Sequence, residues 1–245
     1  SVASRGLGDV YKRQMWHLAK YRLGLSTALG GTGMCIRTSI IREYGWDCNS
    51  LTEDMEFSMK LLTHGIRTCW GHDAIVYDEK VTTMMASCRQ RLRWAQGQFD
   101  CAGRYIPKLF AIGIKTGNIM ILDGIFQVSQ PYFLLLTTVY LVLSNAYTPI
   151  YTNILYQIMP MSVWTIIGVG QYLFPLIVLL KIKVPPKIWF YYLLYPLFVY
   201  SWIPVNILGW FRRHNKVWSH TVHTRAVGLD DVKLTRMGNM NKNEK

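Results

Sequence analysis

Apolar and charged positions are segregated along this chain far more than a soluble domain requires. Residues 124–180 contain no Asp, Glu, Lys, Arg or His, and neither do residues 188–211. About 20 apolar residues suffice to cross a bilayer. The pattern therefore predicts one span within residues 119–143, one at 161–182 and one at 188–211. Trp164, Tyr172, Trp189, Tyr191, Tyr192, Trp202 and Trp210 fit aromatic belts in part. Pro131, Pro175, Pro196 and Pro204 would break soluble helices but are tolerated inside spans. The competing reading, buried helices of a large soluble protein, is disfavoured by the length of the uncharged runs.

The flanks give an orientation and a conflict. The link 181–187 (KIKVPPK) and the tail from Arg212 (RRHNK) are basic, while 144–160 carries no Lys or Arg. Three full spans place the link inside and the tail outside, yet the positive-inside rule prefers both inside. An interfacial helix at 118–130, favoured by Asp123, or a further short span in 144–160 would resolve this. The span count stays open on sequence.

Residues 15–118 mix glycine, acids and bases like an ordinary α/β segment. Residues 38–44 (TSIIREY) read as a short helix ended by Gly45. Ser50-Leu51-Thr52-Glu53 has the capping-box form and predicts a helix to His64, stopped by Gly65. Leu51, Met55, Met59 and Leu62 fall on one face of it. Residues 66–70 and 74–77 read as short strands, with Asp78 and Glu79 after the second, where open α/β sheets place ligands. Residues 83–98 read as a helix.

Composition sharpens this reading. The 245 residues are 51% hydrophobic and 17% charged, with 27 Lys+Arg against 14 Asp+Glu, a net +13. Disorder, a collagen repeat and a disulfide scaffold are excluded; five Cys without a CxxC pair give no zinc site. High apolarity with a basic balance points to a membrane protein whose positive parts face the cytoplasm.

Three groups of residues carry candidate chemistry. Gly30-Gly31-Thr32-Gly33 is a turn where backbone can approach a ligand closely. Glu53, Asp54 and Glu56 crowd the first turn of the 53–64 helix; acids there also favour the helix dipole by a few tenths of a kcal/mol. Gln90, Arg93 and Trp94 sit at i, i+3 and i+4 and share a helix face. They offer an amide for hydroxyls, a bidentate donor for phosphate oxygens and a flat ring for a sugar. Arg89 and Arg91 fit a basic surface resting on anionic headgroups. His64 and His72 lack ligand spacing.

Thr52-Glu53-Asp54, then Gln90-Arg91-Leu92-Arg93-Trp94, then apolar runs, is an order that resembles processive family-2 membrane glycosyltransferases: the cellulose, hyaluronan and poly-N-acetylglucosamine synthases. The resemblance covers roughly residues 15–225. It implies the C-terminal half of a GT-A domain, α/β with a mixed sheet, followed by interfacial and membrane-spanning helices. It implies an inverting transfer of a sugar from a nucleotide diphosphate to an acceptor hydroxyl. Asp54 matches the general base, and Glu53 a residue that orients the acceptor. Gln90, Arg93 and Trp94 match the motif that closes over pyrophosphate and holds the terminal sugar. Thr52, Gly31 and Gly33 join them as substrate-binding positions. Mg²⁺ or Mn²⁺ is implied, but the family's metal-holding aspartates precede Thr52, and nothing in residues 15–51 supplies them. No metal ligand is assigned, and the 245-residue chain alone is expected to be inactive.

The expected partners are a UDP-sugar donor (UDP-N-acetylglucosamine first, UDP-glucose next), a polysaccharide or lipid-linked acceptor and the lipid bilayer, with no nucleic acid. The expected place is the plasma (inner) membrane, multi-pass, with the catalytic part cytoplasmic. Residues 218–225 (WSHTVHTR) resemble a segment after the last span of related bacterial enzymes, and read equally as a lipid-binding juxtamembrane stretch. Residues 4–14 (SRGLGDVYKRQ) resemble a translated sequencing adapter. The organisation is then 1–14 adapter, 15–105 partial catalytic domain, 106–211 interfacial and transmembrane helices, and 212–245 basic tail. Two alternatives stay open: a non-processive lipid glycosyltransferase, which product length would reveal, and a non-enzymatic synthase-like scaffold, which the upstream aspartates would exclude.

Overall fold

The computed structural model describes residues 16–71, 74, 81, 83–147, 157–160, 162–166, 169, 170, 173, 176 and 186–217. The tail motif at 218–225, His72, Asp78, Glu79 and most of the expected 161–182 span lie outside these residues. Eight helices are named here: α1 Leu18–Arg22, α2 Thr38–Tyr44, α3 Glu53–Thr63, α4 Met84–Thr116, α5 Ile119–Tyr147, α6 Pro186–Tyr192, α7 Tyr195–Tyr200 and α8 Trp202–Phe211.

The face expected on the 53–64 helix is the one α3 buries. Met59 and Leu62 are each 1% exposed and join Cys101, Ala102, Tyr105 and Leu109 of α4 with Ile121 and Val128 of α5 in one core. Close approach is allowed where side chains are missing. Leu62 lies against Gly124, and Leu122 against Gly113. Phe99, Tyr132 and Trp210 meet edge-on at 4.9, 5.4 and 5.4 Å, joining α4, α5 and α8.

Four expectations are revised. First, the helix expected at 83–98 starts where foreseen, with Thr83 Oγ1 accepting from Ala86 N at 3.2 Å, but runs 33 residues to Thr116. Pro107 lies inside it. The helix ends at Gly117, whose φ of 63° is the left-handed form glycine adopts without strain. Asn118 then caps α5, its Oδ1 accepting from Met120 N at 3.0 Å. Second, no interfacial helix stops at residue 130: α5 continues to Tyr147. Among the described residues its 119–140 stretch is the one helix long and apolar enough to cross a membrane. Asp123, which favoured the shorter helix, pairs instead with Lys20 at 2.6 Å.

Third, residues 188–211 are three helical pieces rather than one continuous helix. Proline has no N–H and clashes with the carbonyl four residues back. Those carbonyls belong to Tyr192 and Tyr200, the last residues of α6 and α7, so Pro196 and Pro204 break the chain where tolerance was expected. Fourth, the described residues hold no strand. Residues 66–70 form no strand: Thr27 N donates to Thr68 O at 3.1 Å and Ile66 N to Leu61 O at 3.0 Å. Most of 74–77 lies outside the described residues.

Candidate active site

The site starts from a run of chain held by successive tethers. Lys20 Nζ donates to Gln127 Oε1 at 2.9 Å besides pairing with Asp123. Arg67 donates to the carbonyls of Tyr21 and Leu25. Ser26 and Thr27 bond to Thr68. Leu29 N donates to Ser58 Oγ at 2.8 Å, and Ser58 Oγ donates to the Asp54 carbonyl at 2.7 Å. The glycine turn is thereby laid along the first turn of α3. A Cβ on Gly31 would stand 3.5 Å from Asp54 Oδ2, so the turn lies directly against this carboxylate. Gly33 has φ 76°, which a side chain would strain.

Asp54 is half-buried in the first turn of α3. Burial pushes its carboxyl above the ordinary value of 3.8; the Met55 amide pulls it back, Glu53 pushes it up again and the Gly31 amide lowers it. The net effect is upward, so desolvation, aided by Glu53, outweighs the backbone amides of Met55, Gly31 and Asp54 itself. The bond from Met55 N to Oδ1 is 2.7 Å. A carboxyl held this way is a better proton acceptor than a surface aspartate.

The capping box is not formed as its sequence predicts. Thr52 is the N-cap and its side chain caps nothing. Ser50 Oγ accepts from Thr52 N at 3.2 Å and donates to Gly97 O at 3.1 Å. Glu56, 3% exposed, takes the amides of Asn49 and Ser50 at 2.8 and 2.6 Å and pairs with Arg104. Arg104 also holds Asp100 at 2.7 Å. Burial raises the Glu56 carboxyl, but Arg104 and the two amides more than reverse this, leaving it below its usual 4.5. Glu56 is thus committed to holding the 49–52 turn, whereas Glu53 of the same helix turn stays half-exposed.

Thr52 joins the two motifs. It packs on Gly97 so closely that a Cβ there would lie 2.5 Å from Thr52 Oγ1. Its hydroxyl also lies 3.9 Å from Cys101 Sγ. Gly97 and Cys101 continue, at i+7 and i+11, the α4 face that starts with Gln90 and includes Arg93 and Trp94. Gly97 is four residues from Arg93, about 6 Å along the axis. Gln90 and Arg93 are half-buried, and Trp94 keeps 37% of its surface exposed. The start of α3, with the glycine turn against it, is thus seated on the helix side that carries Gln90, Arg93 and Trp94, about two turns along from Gln90.

Arg91 departs from expectation: it is 2% exposed and rests on no headgroup, whereas Arg89 is exposed. Sequence reading also missed Ser58, Lys20 and the Glu56–Arg104 pair. Only Lys20 had a signal, since a lone Asp123 at the start of an apolar helix requires a cation. Among the described residues no group of three or more His, Cys, Asp or Glu could hold a metal ion, and Asp47 pairs with Lys60.

The family model described as glycosyl transferase family group 2 matches residues 2–203. A curated relative, "Probable glycosyltransferase YdaM" of Bacillus subtilis (strain 168), is 31% identical over 117 residues, 47% of this chain. The chain covers 26% of that relative's length. No solved structure matches. With the family model spanning most of its length, this chain belongs to glycosyl transferase family group 2, whose catalytic domains have the GT-A-type fold.

Proposed function

We propose that the protein carrying this chain is a membrane-bound inverting glycosyltransferase that moves a sugar from a UDP-sugar to a growing β-linked polysaccharide. Its catalytic part faces the cytoplasm, at the inner (plasma) membrane. The observation that carries this reading is the packing of Thr52 on Gly97. That contact seats the turn before Asp54 on the helix side that carries Gln90, Arg93 and Trp94, which supports the reading.

In the reaction the acceptor hydroxyl oxygen attacks the anomeric carbon from the face opposite the diphosphate. Asp54 takes the hydroxyl proton as the new C–O bond forms. The bond to the diphosphate breaks, and UDP leaves with the electron pair. Arg93 offsets the charge that builds on the leaving group. Gln90 holds sugar hydroxyls, and Trp94 offers its exposed ring to the acceptor sugar. Glu53 orients the acceptor, and the amides of the Gly31–Gly33 turn line the approach. The cation implied by the resemblance, Mg²⁺ or Mn²⁺, finds no ligand set among the described residues, and no step here passes through it.

The test is Asp54→Asn in the full-length protein, assayed in membranes with labelled UDP-N-acetylglucosamine and UDP-glucose. Transfer should fall by about 10²–10⁴-fold, the usual contribution of a general base, with the protein still folded. Near-parental turnover would remove Asp54 as the base. Products of one added sugar would replace polymer synthesis by transfer to a lipid acceptor.

A further inference from the structure

The motif Gln90–Trp94 contains one charged side chain that faces away from the reaction. Arg91 is among the largest fully buried side chains, and no carboxylate among the described residues pairs with it. Its Nη1 donates to Ser201 Oγ at 2.8 Å, Nη2 to Cys88 Sγ at 3.2 Å and Nε to Ser87 O at 3.3 Å. Its guanidinium lies 4.6 Å from the Phe198 ring centre and 5.1 Å from that of Trp202. The cation is thus enclosed by the break between α7 and α8, satisfied by hydroxyl, thiol, carbonyl and two rings. Desolvation strengthens such ring contacts.

Two neighbouring contacts extend the seat. A Cβ on Gly209 would stand 2.6 Å from Ala95 Cβ, and Gln96 Nε2 donates to Arg212 O at 3.0 Å. At about 100° per residue, Arg91 and Ala95 lie roughly 120° round α4 from the face of Gln90, Trp94 and Gly97. One side of the same two turns meets substrate in the proposed reaction, and another side is bolted to residues 198–212.

We propose that Arg91 is a positioning residue for sugar transfer: by locking α4 into the α7–α8 break, it sets the rotation and height of the Gln90–Arg93–Trp94 face relative to Asp54. This rests on the functional reading above. Lysine would keep the charge but cannot bond Ser201 and Cys88 while lying flat between two rings.

The experiment uses the full-length protein in membranes with labelled UDP-N-acetylglucosamine and UDP-glucose. Arg91→Lys should lower kcat at least about ten-fold with the KM for the donor within about two-fold, as expected when groups are misplaced rather than lost. Trp202→Leu should give the same split, Trp202→Phe should retain most activity, and Arg91→Lys/Trp202→Leu should lose little beyond either single change. In parallel, hydrogen exchange should quicken at residues 89–97 and 201–212 in Arg91→Lys, a readout that needs no turnover. Full kcat, a loss explained wholly by less folded protein, additive losses, or unchanged exchange at 89–97 would each overturn the proposal. Asp54→Asn run alongside separates the two readings: turnover retained there removes the base, while the exchange result still decides Arg91.

Discussion

The joint between the two motifs makes a quantitative forecast at Gly97. A methyl group at this position would meet Thr52 Oγ1 at 2.5 Å, Cγ2 at 2.7 Å and the backbone N at 2.8 Å. The side-chain atoms can turn away, but the backbone cannot. Reaching an ordinary contact of 3.4 Å requires the Thr52 backbone to retreat by about 0.6 Å. Alanine gains about 1 kcal/mol of helix propensity over glycine, set against about 1–3 kcal/mol for overpacking. Gly97→Ala should therefore cost about 0–2 kcal/mol of stability, a change that leaves the protein folded. Activity should suffer more. Thr52 is two residues from Asp54, and a misplacement near 1 Å can cost about 100-fold, so a loss of about 10- to 100-fold is expected. Gly103 supplies the control. It lies on an exposed side of the same helix, with nothing within 4 Å of an added Cβ. Gly103→Ala should gain up to about 1 kcal/mol and keep full transfer. Sugar transfer per folded molecule, measured beside thermal unfolding, compares the pair. A Gly97→Ala protein with parental turnover and a raised Tm would show that the two motifs do not bear on one another.

Three further outcomes follow from the charges. Asp54 has a raised folded-state pKa, so its stabilising contribution is present below its ordinary value of 3.8 and is lost as pH rises through the folded value. Asp54→Asn should hence unfold at or above the parental Tm at pH 7 while transfer collapses; a fall of several degrees would make this carboxylate structural. Glu56 has the opposite sign: its contribution is present above 4.5 and lost as pH falls through the lowered folded value. Glu56→Gln should cost about 2–4 kcal/mol at pH 7, toward the low side because Arg104 is partly solvated, and its acid-unfolding curve should be flatter than the parent's. Lys20→Met should cost about 2–4 kcal/mol by leaving Asp123 uncompensated, and Lys20→Met/Asp123→Leu should recover most of it. Chemical denaturation of the three proteins decides this, and an equal loss in the double variant would contradict it.

What could be read from sequence was what is local. The buried stripe of Leu51, Met55, Met59 and Leu62 follows from helical spacing, and the start of α4 from Thr83. The capping box misled because tertiary partners outbid the local ones: Gly97 O took the Ser50 hydroxyl, and Glu56 took the amides of Asn49 and Ser50. The contacts that build the site escaped because their partners are far apart in the chain. Leu29 and Ser58 are 29 residues apart, Glu56 and Arg104 are 48, and Arg91 and Ser201 are 110. No periodicity encodes such pairs. Arg91 was misjudged for the same reason: a cation on a basic helix reads as solvated until two rings and a hydroxyl from a distant segment enclose it. The roles of Asp54, Gln90, Arg93 and Trp94 came from resemblance, and geometry adds the Thr52–Gly97 joint that relates them.

The two proline breaks constrain where the end of the apolar region can sit. With prolines four residues on, the carbonyls of Tyr192 and Tyr200 cannot take the usual helical N–H from position i+4. Hydrocarbon offers no donor, so bare peptide oxygens do not face lipid tails. The stretch from 192 to 204 must therefore keep these oxygens against other parts of the protein or within reach of water. Arg91 reaching Ser201 places one of the two breaks against α4. Lipid tails could surround the side chains of that stretch, but not stand in for the donors those two oxygens need.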